Sequence, residues 1–270
     1  MSENVETVQA PDNQEKELSL SGKLVGVLIE PIKTFEKIAA FPVKATDWLI
    51  PIIITLLIAS ASQILYSQNP AIKEQMIQMQ VSITEEIFSS LVENGQMTQA
   101  QADQELDKAY QNAEEAGVIG PIINTVIMGF ISFFVIATVF FLVARFILGD
   151  KGSYSHSLAA FGIPYYIAAI QALILMVVSL VTSRAIFGTS LTALLDYDMY
   201  SWNGFLLGRI NVFTIWFYAV ASIGYAKMFK SKNIIKYFIA IFAIWLGFST
   251  LMFLIAKNVI FLKWIGFMLY

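Results

Sequence analysis

The sequence predicts an all-α protein: a polytopic helical membrane bundle of five transmembrane helices with a helical hairpin outside. Three observations carry that prediction. Of 270 residues, 57% are hydrophobic and only 14% are charged, where a soluble domain carries roughly a quarter charged; mean hydropathy is +0.67. Uncharged apolar runs of membrane-crossing length recur along the chain. Lysine and arginine gather on alternate connections between those runs.

Met1 to Glu17 has acids and amides but almost nothing to bury, so residues 1–19 are predicted to be a disordered cytoplasmic tail. No apolar core follows a basic start there, and no cleavable signal peptide is expected. Residues 20–47 form an amphipathic interfacial segment. Val25, Leu28, Ile29, Ile32, Phe35 and Ile38 recur at helical spacing, with Lys33, Glu36 and Lys37 on other faces. Pro31 and Pro42 punctuate it, because a proline lacks the N–H that a helix interior needs. Lys33, Lys37 and Lys44 are candidate lipid-surface contacts for an anionic cytoplasmic leaflet.

From Trp48 to Tyr66 nineteen residues carry no charge. At a rise of about 1.5 Å they reach roughly 29 Å, the thickness of the hydrocarbon core. Residues 67–117 are the one sizeable water-soluble part. Ile72, Met76, Met79, Ile83, Ile87 and Leu91 mark one amphipathic helix, Asn94-Gly95 a turn, and Leu106, Ala109, Tyr110 and Ala113 a weaker second stripe. Thr98 and Gln101 have capping-box spacing. The hairpin is acidic: Glu74, Glu85, Glu86, Glu93, Asp103, Glu105, Asp107, Glu114 and Glu115 face only Lys73 and Lys108.

Four further spans follow near 118–148, 157–181, 204–226 and 234–256, completing a membrane domain of 48–66 and 118–256. The first of these four is long enough to require tilt. Residues 257–270 are apolar but broken by Lys263 and Gly266, and are predicted to lie in the interface. With a cytoplasmic N-terminus, eleven basic residues fall inside and five outside, so the hairpin and the C-terminus face out.

Polar side chains within spans are the candidate functional positions, since an ionisable group at the bilayer centre costs about 2.5–3.5 kcal/mol on insertion scales. Gln171, Arg209 and Asn211 are singled out as polar membrane positions. Arg209 suits an anion or headgroup contact, or snorkels outward and pairs with Asp196 or Asp198. Gln171 and Asn124 suit hydrogen bonds between helices. Pro164, beside Tyr165 and Tyr166, is read as a kink, and Asp196 with Asp198 is thin support for a divalent cation, which usually takes six or more oxygens.

An enzyme is not expected. There is no cysteine, the single histidine is His156, and no HExxH, P-loop or GxSxG is present. His156 is read as interfacial. No catalytic residue, cofactor or metal is assigned, and a net charge of −3 does not suggest a nucleic acid. The partners expected are the lipid bilayer and a protein whose identity the residues do not specify.

The stretch GKLVGVLIEPIKTFEKIAAFPVKATDWLIPIIITLLI resembles the start of the bacterial Yip-type domain, at Gly26, Val27, Pro31, Phe35, Ile38, Pro42 and Pro51. GSYSHSLAAFGIPYYIAAI resembles that family's loop into the third span, and WFYAVASIGYAKMFKSKNIIKYFIAIFAIWL its fourth-span ending. The resemblance covers roughly residues 20–255 apart from the hairpin, which looks like an insertion. It implies five spans with a cytoplasmic N-terminus, a bacterial plasma membrane, and no catalytic residues. Eukaryotic members bind small Rab-type GTPases and organise vesicle traffic. The expected function is therefore that of a non-enzymatic membrane protein binding partners or organising the envelope. The alternative is a small-solute or ion permease using the third and fourth spans.

Overall fold

The computed structural model describes residues 16–195 and 201–258. Among them every regular element is helical. The N-terminal segment is two helices, α1 (Leu20–Ile29) and α2 (Pro31–Ala39). Ser19 caps α1 by accepting from the Gly22 N–H, and Pro31 opens α2 where a missing N–H costs nothing. The break at Glu30 divides the predicted apolar stripe. Phe35 and Ile38 are buried in the bundle together with Val27, whereas Val25, Ile29 and Ile32 point outward. A periodicity read as one helix does not continue across a turn that re-aims the second helix. Lys33 and Lys37 are exposed on α2.

The first span is α3 (Ala45–Gln68), which Asn69 joins to α4 (Pro70–Glu93). The Asn69 side chain accepts from the N–H groups of Ala71 and Ile72, so α4 starts with its first turn capped. Helix α5 (Gln99–Glu115) returns alongside α4, opened by the reciprocal Thr98–Gln101 capping box that its spacing predicts. It packs through Ala102, Leu106, Ala109 and Ala113, with Ala102 and Ala113 buried. The hairpin is thus present as two helices packed on each other.

Helix α6 (Ile119–Leu142) runs on through one π-helical turn, Val143–Ile147. The third span is α7 (Tyr154–Gly162) and α8 (Tyr165–Thr182), interrupted at Ile163-Pro164. A short α9 (Leu191–Leu195) precedes α10 (Trp202–Gly208), α11 (Val212–Met228) and α12 (Ile234–Asn258). Among the described residues, four helical stretches are long and apolar enough to cross a membrane, and α10 with α11, bent by 54°, makes a fifth if the pair crosses as one. The continuous span expected over 204–226 is therefore broken. Helix α11 alone is 17 residues, roughly 26 Å.

Helices α7 and α8 form the centre. Helix α3 lies along both, α6 covers α3 and α7, and α11 packs on α7, α8, α12 and α2. Small residues permit the close approaches. A Cβ at Gly162 would meet the Trp48 backbone at 2.7 Å, and one at Gly224 would meet the Phe35 ring at 2.8 Å and the Ala160 carbonyl at 2.9 Å. Aromatic rings fill the space between: Trp48 stacks on Phe133 at 5.5 Å and Phe133 on Phe161 at 5.7 Å. The Ser157 hydroxyl donates to the Ala137 carbonyl at 2.8 Å and shares a 2.6 Å bond with the Tyr225 hydroxyl, tying α6, α7 and α11 together.

Lys23, Lys44, Lys227 and Lys236 collect at one end of the bundle with their partners Asp47, Glu17, Glu36 and Asp150. The hairpin stands at the other. Asp196, Asp198, residues 1–15 and the tail from residue 259 lie outside the described residues.

Candidate functional site

Of the three polar membrane positions, the structure brings two together. The Gln171 amide on α8 donates to the Thr189 hydroxyl at 2.9 Å. Thr189 in turn donates to Asn211 Oδ1 at 3.0 Å. That same oxygen accepts the backbone N–H groups of Phe213 and Thr214 at 3.0 and 3.3 Å, so Asn211, 5% exposed, caps α11 from inside the bundle. The chain reaches this depth because the segment after Thr182 turns back along α8. The Ile186 N–H meets the Ser179 hydroxyl, and Thr189 meets Gln171. Gln171 is eleven residues before the end of α8, or roughly 16 Å along its axis. Irregular backbone at that depth must be satisfied by protein. The Leu191 N–H does so by bonding the Ile210 carbonyl at 3.1 Å.

Arg209 points elsewhere. Its Nη1 donates to Ser249 on α12 at 2.9 Å, and its guanidinium carbon lies 5.1 Å from the centre of the Phe205 ring. Asn124 is exposed, and the polar contact between the first two spans is made by Gln63 donating to Thr125 at 2.6 Å. At Pro164 the break serves packing: the Tyr165 carbonyl accepts from Thr55 on α3 at 3.0 Å. His156 completes the cap of α7, its Nδ1 accepting from the Ser153 N–H at 3.2 Å.

At the basic end Lys23 is 5% exposed and Asp47 is 3% exposed. The Lys23 ammonium donates to Asp47 Oδ1 at 2.7 Å and to Glu17 at 3.2 Å. Glu17 also meets Lys44 at 2.5 Å, and Asp47 Oδ2 accepts the Lys44 N–H at 2.9 Å, capping α3. Burial opposes the charge on Lys23, but the hydrogen bonds and charges of Asp47 and Glu17 outweigh it and hold its pKa above the ordinary lysine value. Lys44 and Lys23 bonding to Glu17 hold that carboxyl below its ordinary value. Lys44, a candidate lipid contact, is thus engaged with the chain itself. Lys33 pairs with Glu30 at 3.0 Å, both well exposed. Between α1 and α2 an open groove of about 270 Å³ is lined by Gly22, Val25, Gly26, Ile29, Glu30, Lys33, Thr34 and Lys37.

The hairpin is rooted on the bundle. Gln75 donates to the Ser183 carbonyl at 3.1 Å and accepts the Ala185 N–H at 3.0 Å, and Asn69 donates to the Ser183 hydroxyl at 3.2 Å. Both hairpin lysines are turned onto the hairpin: Lys73 onto the Glu114 carbonyl at 2.9 Å and Lys108 onto Glu105 at 2.7 Å. The charge of Glu74 raises the pKa of the Tyr110 phenol beside it. Among the described residues no group of three His, Asp or Glu side chains is placed to hold a metal ion.

Sequence reasoning missed Thr189, Lys23 and Glu17. Thr189 has no spacing signal, because its partners are 18 and 22 residues away through an irregular segment. Lys23 and Asp47 are 24 residues apart on separate helices, and only their oppositely charged positions beside apolar runs hinted at a pair. In comparisons with known proteins, no family model, no curated sequence and no solved structure matches this chain.

Proposed function

We propose that this integral membrane protein is non-enzymatic and binds a protein partner through the hairpin α4–α5, in a Yip-type build with its N-terminus in the cytoplasm. The observation that carries this reading is the hairpin itself. It is anchored at its root to the loop after α8, and its nine acids are opposed by two lysines that it already uses internally. A surface so charged is complementary to a basic patch on another protein and speeds encounter with it. The bias of lysine and arginine toward the other end supports an outside hairpin on a bacterial plasma membrane. A photocrosslinker at the exposed turn residue Asn94, activated in intact membranes, tests the proposal. One specific protein adduct is expected. Normal expression with no adduct would count against partner binding.

One observation favours a permease as the second reading. A span broken by 54° with the Gln171–Thr189–Asn211 seam at the break is the type of irregularity from which transporters build substrate sites. Solute flux into vesicles, compared between the native protein and Asn211→Ala, separates the two. Flux that falls with the substitution would favour the permease.

A further inference from the structure

We infer that the groove between α1 and α2 binds the headgroup of an anionic phospholipid from the leaflet at the basic end. This site is independent of what the hairpin binds. Its level relative to the bilayer is set by its neighbours. Phe35 packs on Gly224, one turn from the end of α11; Glu36 pairs with Lys227 in the last turn of α11 at 2.6 Å; and Lys23 pairs with Asp47 in the first turn of α3. The groove therefore opens where the spans end and headgroups begin. Its outer walls are apolar and unburied: Val25 is 50% exposed and Ile29 73% exposed. They offer exposed apolar surface beside the charged rim. Gly26 and Thr34 form the floor, where a Cβ at position 26 would run into the Thr34 side chain.

The rim supplies the charge. Lys33 and Lys37 are four residues apart on α2, so both ammonium groups rise from one face about one helical turn apart. Among the described residues Glu30 is the one acid lining the groove, and its bond to Lys33 is an exposed pair that a phosphate can displace. Two lysines against one carboxylate leave the rim positive. At about 270 Å³ the groove lies just below the roughly 300–1,000 Å³ of sites that enclose drug-sized molecules, which suits a phosphate headgroup and the first carbons below it, with the acyl chains remaining in the bilayer.

The test is native mass spectrometry of the full chain released from vesicles of equal phosphatidylglycerol and phosphatidylcholine. The native protein should retain phosphatidylglycerol in preference to phosphatidylcholine. Replacing Lys33→Gln and Lys37→Gln together should reduce that retention roughly tenfold or more, the order expected of two lysines beside an anionic surface. Lys151→Gln with Lys232→Gln removes the same charge from exposed positions at the same end, outside the groove, and should change little. Glu30→Gln, which frees Lys33 without disturbing a helix cap, should increase retention. Equal loss in the two lysine pairs would overturn the site in favour of unspecific surface charge. So would displacement of the lipid by millimolar inorganic phosphate, which would make the groove a phosphate site.

Discussion

The two ends of the bundle solve the same problem with different chemistry. Each must satisfy polar groups beside apolar helices. The basic end does so with charge: Lys23 and Asp47, nearly inaccessible, are held 2.7 Å apart, with Glu17 and Lys44 extending the cluster outward. On the hairpin side, the seam at the α10–α11 break does so with neutral groups, through a relay from Gln171 to Thr189 to Asn211 that ends on the first N–H groups of α11. The difference follows depth. The ion pair sits in the first turn of α3, where headgroups and water are close. The relay sits about 16 Å below the end of α8, where an uncompensated charge would cost several kcal/mol. The buried ion pair lies one turn from the polar layer, whereas at the depth of the seam amide and hydroxyl groups carry the bonds and the neighbouring Arg209 is held by Ser249 and the Phe205 ring.

The largest test of that contrast is Asp47→Ala. It leaves a buried ammonium with Glu17 as its remaining partner and removes the carboxylate that caps α3. A loss of about 3 kcal/mol is expected, read as an earlier thermal unfolding transition in detergent and faster proteolysis near residues 20–44. Pairing it with Lys23→Met should recover much of the loss; no recovery would mean that the two groups do not act as a pair.

Asn211→Ala should cost about 1–2 kcal/mol, the range of a lost helix cap. Amide exchange should quicken over residues 186–191 and 210–214 and stay unchanged at the basic end. Uniform quickening throughout the bundle would erase the distinction between the ends.

Smaller still is the effect of pH, and here the signs differ. Glu17 has its pKa lowered in the folded chain, so its stabilisation is present above the unfolded glutamate value of about 4.3 and is lost as pH falls through the folded value below it. Lys23 has its pKa raised, so its contribution is complete below about 10.4 and is lost as pH rises through the folded value above that. The relay contains no ionisable group. Acid below about pH 4 should therefore loosen contacts of residues 17–23 before it touches the seam, as followed by exchange at both ends. Lys44→Gln, which breaks only an exposed pair, should shift stability by no more than about 1 kcal/mol.

The fold class and most helix limits were legible because hydrophobic length and punctuation are local signals. The Thr98–Gln101 box, the Asn94-Gly95 turn and the uncharged run after Trp48 are each written in neighbouring residues, and each stands where its local chemistry puts it. What was not legible depends on contacts between distant segments. Within 204–226, Gly208 and Asn211 are local signs of a boundary, but that the chain breaks there depends on Leu191 and Thr189 from a separate loop, which satisfy Ile210 and Asn211. The same applies to the division of the N-terminal stripe at Glu30: Pro31 signals a boundary, but only α11, with Gly224 receiving Phe35, decides which apolar residues turn inward. Gln171 and Asn211 were recognisable as unusual within apolar runs, whereas their connection through Thr189 was not.

The measurement that most directly tests the central claim, a bundle whose acidic hairpin lies across the membrane from its lysine-rich end, is single-cysteine labelling. The chain has no native cysteine, so Asn94→Cys in the hairpin turn and Ser231→Cys between α11 and α12 each give one site. A membrane-impermeant thiol reagent added to intact cells should modify position 94 readily and position 231 only after the membrane is opened. Labelling of both positions in intact cells, or of 231 alone, would contradict the account.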